Sequence, residues 1–118
     1  MEKLTFKKPE RLSGKKLIQE LFDKGSSFYL YPFKVHFLTN QGSINQVLVS
    51  VPKNIFKRAV DRNAIKRRIR EGYRLNKSKL RSDIFFSIAY IYTAKEILPS
   101  SIIHQKIVLS FEKLTDRK

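Results

Sequence analysis

The chain has 118 residues, 42% of them hydrophobic, with 25 Lys+Arg against 10 Asp+Glu and a formal net charge of +15. That length fits one domain with a modest core, and so large a positive charge points to nucleic acid or another polyanion as partner. The absence of cysteine excludes a disulfide framework, a cysteine-based zinc site and thiol catalysis. No apolar run approaches the roughly 18 residues of a membrane span, and Met1–Lys8 has no apolar core of a signal peptide. The expectation is a cytoplasmic protein with no membrane contact.

In chain order, residues 1–12 read as extended and basic, broken by Pro9; they and residues 115–118 are expected to be flexible. Ser13 can cap a short helix that ends before Gly25, with Leu17, Ile18, Leu21 and Phe22 on one face. Residues 28–39 read as a strand, Phe33, Val35 and Phe37 alternating with Lys34, His36 and Leu38. Asn40-Gln41-Gly42-Ser43 predicts a turn, and a hairpin into the alternating Val47, Val49 and Val51, which ends at Pro52. A basic helix follows from Asp61 to about Asn76. Asp83–Tyr92 is nearly all apolar, as a strand covered on both faces would be. Pro99 suits the first turn of a last helix striped by Ile103, Ile107, Phe111 and Leu114. The order is helix, two or three strands, helix, strand, helix. With the third strand it is α-β-β-β-α-β-α, an α/β (α+β) two-layer sandwich on a mostly antiparallel sheet. No repeat or linker divides it, so residues 1–118 read as one domain.

The densest information lies between Lys53 and Arg81, where twelve Lys/Arg face only Asp61 and Glu71, a net of +10. Such a block repels itself unless a polyanion is near. Ala59, Val60, Ala64, Ile65, Ile69 and Tyr73 interrupt it, so it reads as a folded helix rather than a charged tail. At about 100° per residue, Ile65, Ile69 and Tyr73 share one arc, while Asn63, Lys66, Arg67, Arg70 and Arg74 share its neighbour. Asp61 is the expected N-cap. Lys57 and Arg58 would precede the helix, and Arg62 would sit in its first turn, where a cation is poorly placed unless an anion is bound. Guanidinium forks suit phosphate better than they suit a merely solvated face.

Side-chain catalysis has little support. The ten acids are scattered, with no carboxylate cluster for a pair of metal ions, and Gly14, Gly25, Gly42 and Gly72 form no phosphate loop. Of the two histidines, His104 reads as a packing or surface residue. His36 lies beside Lys34 on the face of its strand away from the core; that face could hold single-stranded RNA by stacking and charge, or simply be solvated.

The run Arg58-Ala59-Val60-Asp61-Arg62-Asn63-Ala64-Ile65-Lys66-Arg67-Arg68-Ile69-Arg70 resembles the signature of the bacterial ribonuclease P protein subunit, Arg-Ala-Val-x-Arg-Asn-Arg-x-Lys-Arg-x-x-Arg. Arg11-Leu12, Phe22 and Gly25 are also similarly placed, so the likeness covers about residues 9–114. It departs at Ala64, where the family has Arg. It departs also at Ile18, a family aromatic, and at His36, a family tyrosine. The resemblance implies a sheet with a left-handed crossover carrying the basic helix, against the usual hand, akin to the second domain of the fifth small-subunit ribosomal protein. It implies a partnership with a catalytic RNA and with precursor tRNA, whose 5′ leader the ribonucleoprotein removes endonucleolytically. Mg²⁺ held by that RNA activates the water, the protein holding no catalytic residue and no metal, and no obligate protein partner is implied. Lys53, Lys57, Arg58, Arg62, Asn63, Lys66, Arg67, Arg70 and Arg74 would bind RNA; Phe22, Lys34 and His36 would line the leader cleft. The competing readings are a structural RNA-binding protein, a helix-turn-helix DNA binder and a protein-only nuclease. The spaced motif, the strands flanking the basic helix and the scattered acids weigh against them in turn.

Overall fold

The computed structural model describes residues 10–12, 14–40, 42, 44–80 and 83–116. The elements are α1 (Lys15–Lys24), β1 (Ser26–Leu30), β2 (Phe33–Asn40), β3 (Gln46–Ser50), α2 (Ala59–Asn76), β4 (Phe85–Tyr92) and α3 (Ser100–Asp116). This is the α-β-β-β-α-β-α order that the sequence suggests. The sheet order is β1-β2-β4-β3. β1–β2 and β2–β4 pair antiparallel, while β3–β4 is parallel with α2 as its connection.

Two strand expectations are corrected. The single strand read over 28–39 is two, because Pro32 has no N–H to give a ladder and fixes its own φ. The chain turns at Tyr31–Pro32 and pairs Leu30 with Phe33. The turn after β2 does not close a hairpin: β3 pairs with β4, not β2. The reason lies in β4, whose apolar run buries both faces and therefore takes the central place with a partner on each side. Gln41 and Ser43 of that turn, like Ser13, lie outside the described residues.

Alternation decides which side chain meets which layer. Phe33, Val35 and Phe37 of β2, and Val47 and Val49 of β3, point into the main core. There they meet Ile65, Ile69 and Tyr73 of α2 and the predicted stripe Ile103, Ile107, Phe111 and Leu114 of α3. Gly72 lets α2 approach α3: a Cβ there would lie 2.9 Å from His104 Cδ2. The opposite sheet face carries a smaller cluster, Leu12, Leu21 and Ala89, with Ile18, Leu38 and Leu48 packed on it. α1 thus covers only part of that face, and Leu17 and Phe22, expected on its apolar side, stay exposed.

Of the two ends expected to be flexible, residues 1–9, 117 and 118 lie outside the described residues. Leu12 is buried and its N–H donates to Val47 O at 2.9 Å, while Arg11 bridges Val47 beside the β3 edge. Lys77 and Glu10 form an ion pair of 2.9 Å. Residues 10–12 are therefore docked, because they cover an edge that would otherwise expose its ladder groups. At the other end α3 runs through Thr115, whose hydroxyl donates to Phe111 O. Pro99 sits one residue before α3, its carbonyl accepting from Ile103 N–H.

Candidate nucleic-acid interface

α2 begins two residues earlier than expected. Arg58 is its N-cap residue, in an extended conformation and with no side-chain cap, and Asp61 lies in the first turn instead. There its carboxylate still faces the positive end of the helix dipole. Arg62 resolves its own misplacement differently from the anion expected of it. Its Nη1 donates to Phe56 O at 2.8 Å and Lys57 O at 2.9 Å. The guanidinium thereby holds the loop that presents Lys53, Lys57 and Arg58, all exposed, and its remaining N–H groups are the ones left for a ligand.

Further along α2, the predicted polar arc is displayed as a surface. Asn63 and Arg67 are exposed, Lys66, Arg70 and Arg74 half-buried. Arg67, Arg70 and Arg74 share a shallow cavity of about 180 Å³ with Arg11 and Glu71. Arg74 is ion-paired with Glu71. Burial, and then the neighbouring Arg11, push the Arg70 guanidinium below the ordinary arginine range. It remains a cation at neutral pH, with Arg11 as a like-charged neighbour. Arg11 was missed as a site residue because its place beside α2 comes from docking on β3, far away in sequence. Arg68 is turned to structure, donating to Leu98 O at 2.7 Å ahead of α3. Ala64 is half-buried beside this arc and contributes no charge.

The other predicted set lies on the opposite face of the sheet. Phe22 projects from α1, and its ring meets His36 edge-on with centroids 4.6 Å apart. Lys34 is exposed two residues along β2 on the same face. Burial, and then Lys34, lower the His36 pKa from its ordinary value. The imidazole is therefore neutral at pH 7 and behaves as an aromatic. Phe22, Lys34 and His36 therefore share the sheet face beside α1, on the side of the sheet away from α2. Tyr29 of β1, the cross-strand partner of Lys34, shares this face and was not singled out from sequence.

Among the described residues, no three His, Asp or Glu side chains gather as a metal site, and no helix is long and apolar enough to cross a membrane. A basic helix thus stands on one side of the sheet and a group of rings with a lysine on the other.

The comparisons with known proteins place that arrangement in a family. The family model Ribonuclease P matches residues 6–114. The ribonuclease P protein component of Porphyromonas gingivalis is 37% identical over 98 residues, covering 76% of this chain and 72% of that protein. That of Petrotoga mobilis is 40% identical over 90 residues, covering 76% and 70%. Among solved structures, the ribonuclease P protein of Thermotoga maritima superposes with a TM-score of 0.76 at 25% identity over 88% of this chain and 96% of that one. The Staphylococcus aureus protein gives 0.71 at 25% identity over 90% and 94%. The chain belongs to the ribonuclease P protein family.

Proposed function

We propose that this protein is the protein subunit of a ribonuclease P ribonucleoprotein that acts in the cytoplasm on precursor tRNA. The α2 face and the loop before it bind the catalytic RNA. Arg67 and Arg70 take phosphates, Asn63 and Lys66 flank them, and Lys53, Lys57 and Arg58 extend the contact from the loop that Arg62 holds. The α1–sheet cleft receives the single-stranded 5′ leader, Phe22 and His36 offering ring faces and Lys34 a cation. The observation that carries this reading is the signature helix itself, fixed by its apolar face and displaying its cations on the other. Fixed cations between two RNAs screen their repulsion and position the substrate, and neither effect needs a catalytic side chain. Mg²⁺ held by the RNA supplies the activated water; the protein's share is affinity and placement.

The test is cleavage of 5′-labelled precursor tRNA at low Mg²⁺ by protein alone, cognate catalytic RNA alone, and both. Cleavage at the mature 5′ end only in the mixture is the expected result. Cleavage by purified protein alone would replace this reading with a protein nuclease. Tight RNA binding without stimulation would replace it with a structural RNA-binding role.

A further inference from the structure

Tyr29 is an unusual strand tyrosine. It is 60% exposed, although its hydroxyl is hydrogen-bonded to Thr93 Oγ1 at 3.3 Å. Thr93 Oγ1 donates its own proton to Pro32 O at 2.9 Å, so the tyrosine is the donor in this pair. Tyr29 stands on β1 and Thr93 immediately follows β4, with β2 between them. Two strand spacings amount to roughly 10 Å. The ring can reach Thr93 only by leaning across β2, over the backbone beside Lys34. Held by its backbone in β1 and by its hydroxyl at Thr93, it is tethered across the sheet and still 60% exposed.

The neighbours of that face have one chemistry. Lys34 is the direct cross-strand partner of Tyr29, and His36 stands two residues further along β2 with Phe22 against it. The sequence of groups on the surface is therefore aromatic pair, cation, aromatic. Tyr31, the other exposed tyrosine nearby, lies in the turn between β1 and β2 and outside the strand pairing that sets this row.

We infer that Tyr29 is a second base-stacking position for single-stranded RNA, continuing the α1–sheet cleft beyond Phe22 and His36, with Lys34 taking the phosphate between the two stacked bases. This rests on the leader-cleft reading above and adds to it a residue and a length: more leader nucleotides are held than the Phe22 end alone could hold. Base–aromatic stacking tolerates any base, so the position selects for leader length rather than sequence. A tethered ring also loses little freedom when a base settles on it.

The experiment measures affinity of the reconstituted protein–RNA holoenzyme for mature tRNA and for precursors with leaders of increasing length. Tyr29→Ala is expected to weaken binding about fivefold or more once the leader is long enough to reach Tyr29. Shorter precursors and mature tRNA should bind as before. Tyr29→Phe keeps the ring and should stay within about twofold, and Tyr31→Ala should bind as wild type. One abasic leader position should weaken wild type but not Tyr29→Ala. If Phe22→Ala shows a leader-dependent loss and Tyr29→Ala shows none, the inference falls and the cleft reading stands. If neither variant depends on the leader, the cleft reading falls and takes the inference with it. Equal losses on mature and precursor tRNA would mean a structural role for Tyr29 and would also overturn the inference; melting curves of each free variant identify that case.

Discussion

On the proposed function, the two faces of the sheet handle RNA by different physics. On the α2 side, cations stand on a helix locked into the main core, and part of the cationic set is spent on the scaffold: Arg62 on the loop carbonyls, Arg68 on Leu98 O, Arg74 on Glu71. On the α1 side, Lys34 sits beside the Phe22 and His36 rings, over a smaller cluster whose buried members among the described residues are Leu12, Leu21 and Ala89. The contrast teaches that charge and selectivity are housed apart. The first face would bind by releasing counterions and be blind to base identity and strand ends. The second would offer ring faces and so respond to whether unpaired nucleotides are present.

The largest effect should come from undermining one face and sparing the other. Ile69→Ala empties a fully buried position beneath α2 and should cost about 2–5 kcal/mol in denaturant unfolding, taking catalytic-RNA affinity down with stability. Gly25→Ala should act on the other face. A Cβ there would run into the Leu21 carbonyl and lie 2.7 Å from Phe37 O, so the end of α1 must lift from β2. The expected cost is about 1–3 kcal/mol, with loss of discrimination between precursor and mature tRNA but retention of catalytic-RNA affinity. If Gly25→Ala weakened both functions equally, the separation of the faces would be wrong.

A smaller effect sharpens the same comparison. Arg67→Ala or Lys66→Ala should lower the slope of log affinity against log salt by about 0.7–0.9, whereas Phe22→Ala should leave the slope alone and reduce affinity only for leader-bearing RNA. Arg62→Ala should do more than remove one cation, since it also frees the loop carrying Lys57 and Arg58. Arg62→Lys, which keeps charge but not the two carbonyl bonds, separates these effects: a wild-type slope with weakened affinity is expected. An unchanged slope in both Arg67→Ala and Lys66→Ala would remove α2 from the RNA interface.

How much of this was legible beforehand depends on how local the signal is. The α2 face was readable because an apolar i, i+4 series and its charged neighbour arc are properties of one helix. Likewise the alternation of β2 and β3 told which residues face the core. Strand pairing was not readable: Asn40–Ser43 announces that the chain turns, and nothing in it says that β3 will lie beside a strand formed about forty residues later. Pro32 did carry the break between β1 and β2, and the run of aromatics around it outweighed that signal. Asp61 as N-cap failed because the helix could start on Arg58 without any side-chain cap. Arg11 entered only through the family likeness, without a role, and Tyr29 carries no local mark; their neighbours Arg70 and Thr93 come from docking of distant segments.

The smallest expected effect concerns His36. Burial, and then Lys34, hold its pKa below the ordinary value, near 6.5 in an unfolded chain. As pH falls below about 6.5 the unfolded chain takes up the proton first, so protonation favours unfolding. The contribution is fully present above that pH, declines as pH falls through the folded-state value, and is constant below it. Melting temperatures between about pH 7.5 and 5 should therefore fall more for wild type than for His36→Gln, which has no proton to bind there. His104 is common to both proteins, so the difference between the two curves belongs to His36. Parallel curves would mean that the cleft does not resist charging of the ring. The contrast between the two faces would then rest on Phe22 and Tyr29 alone.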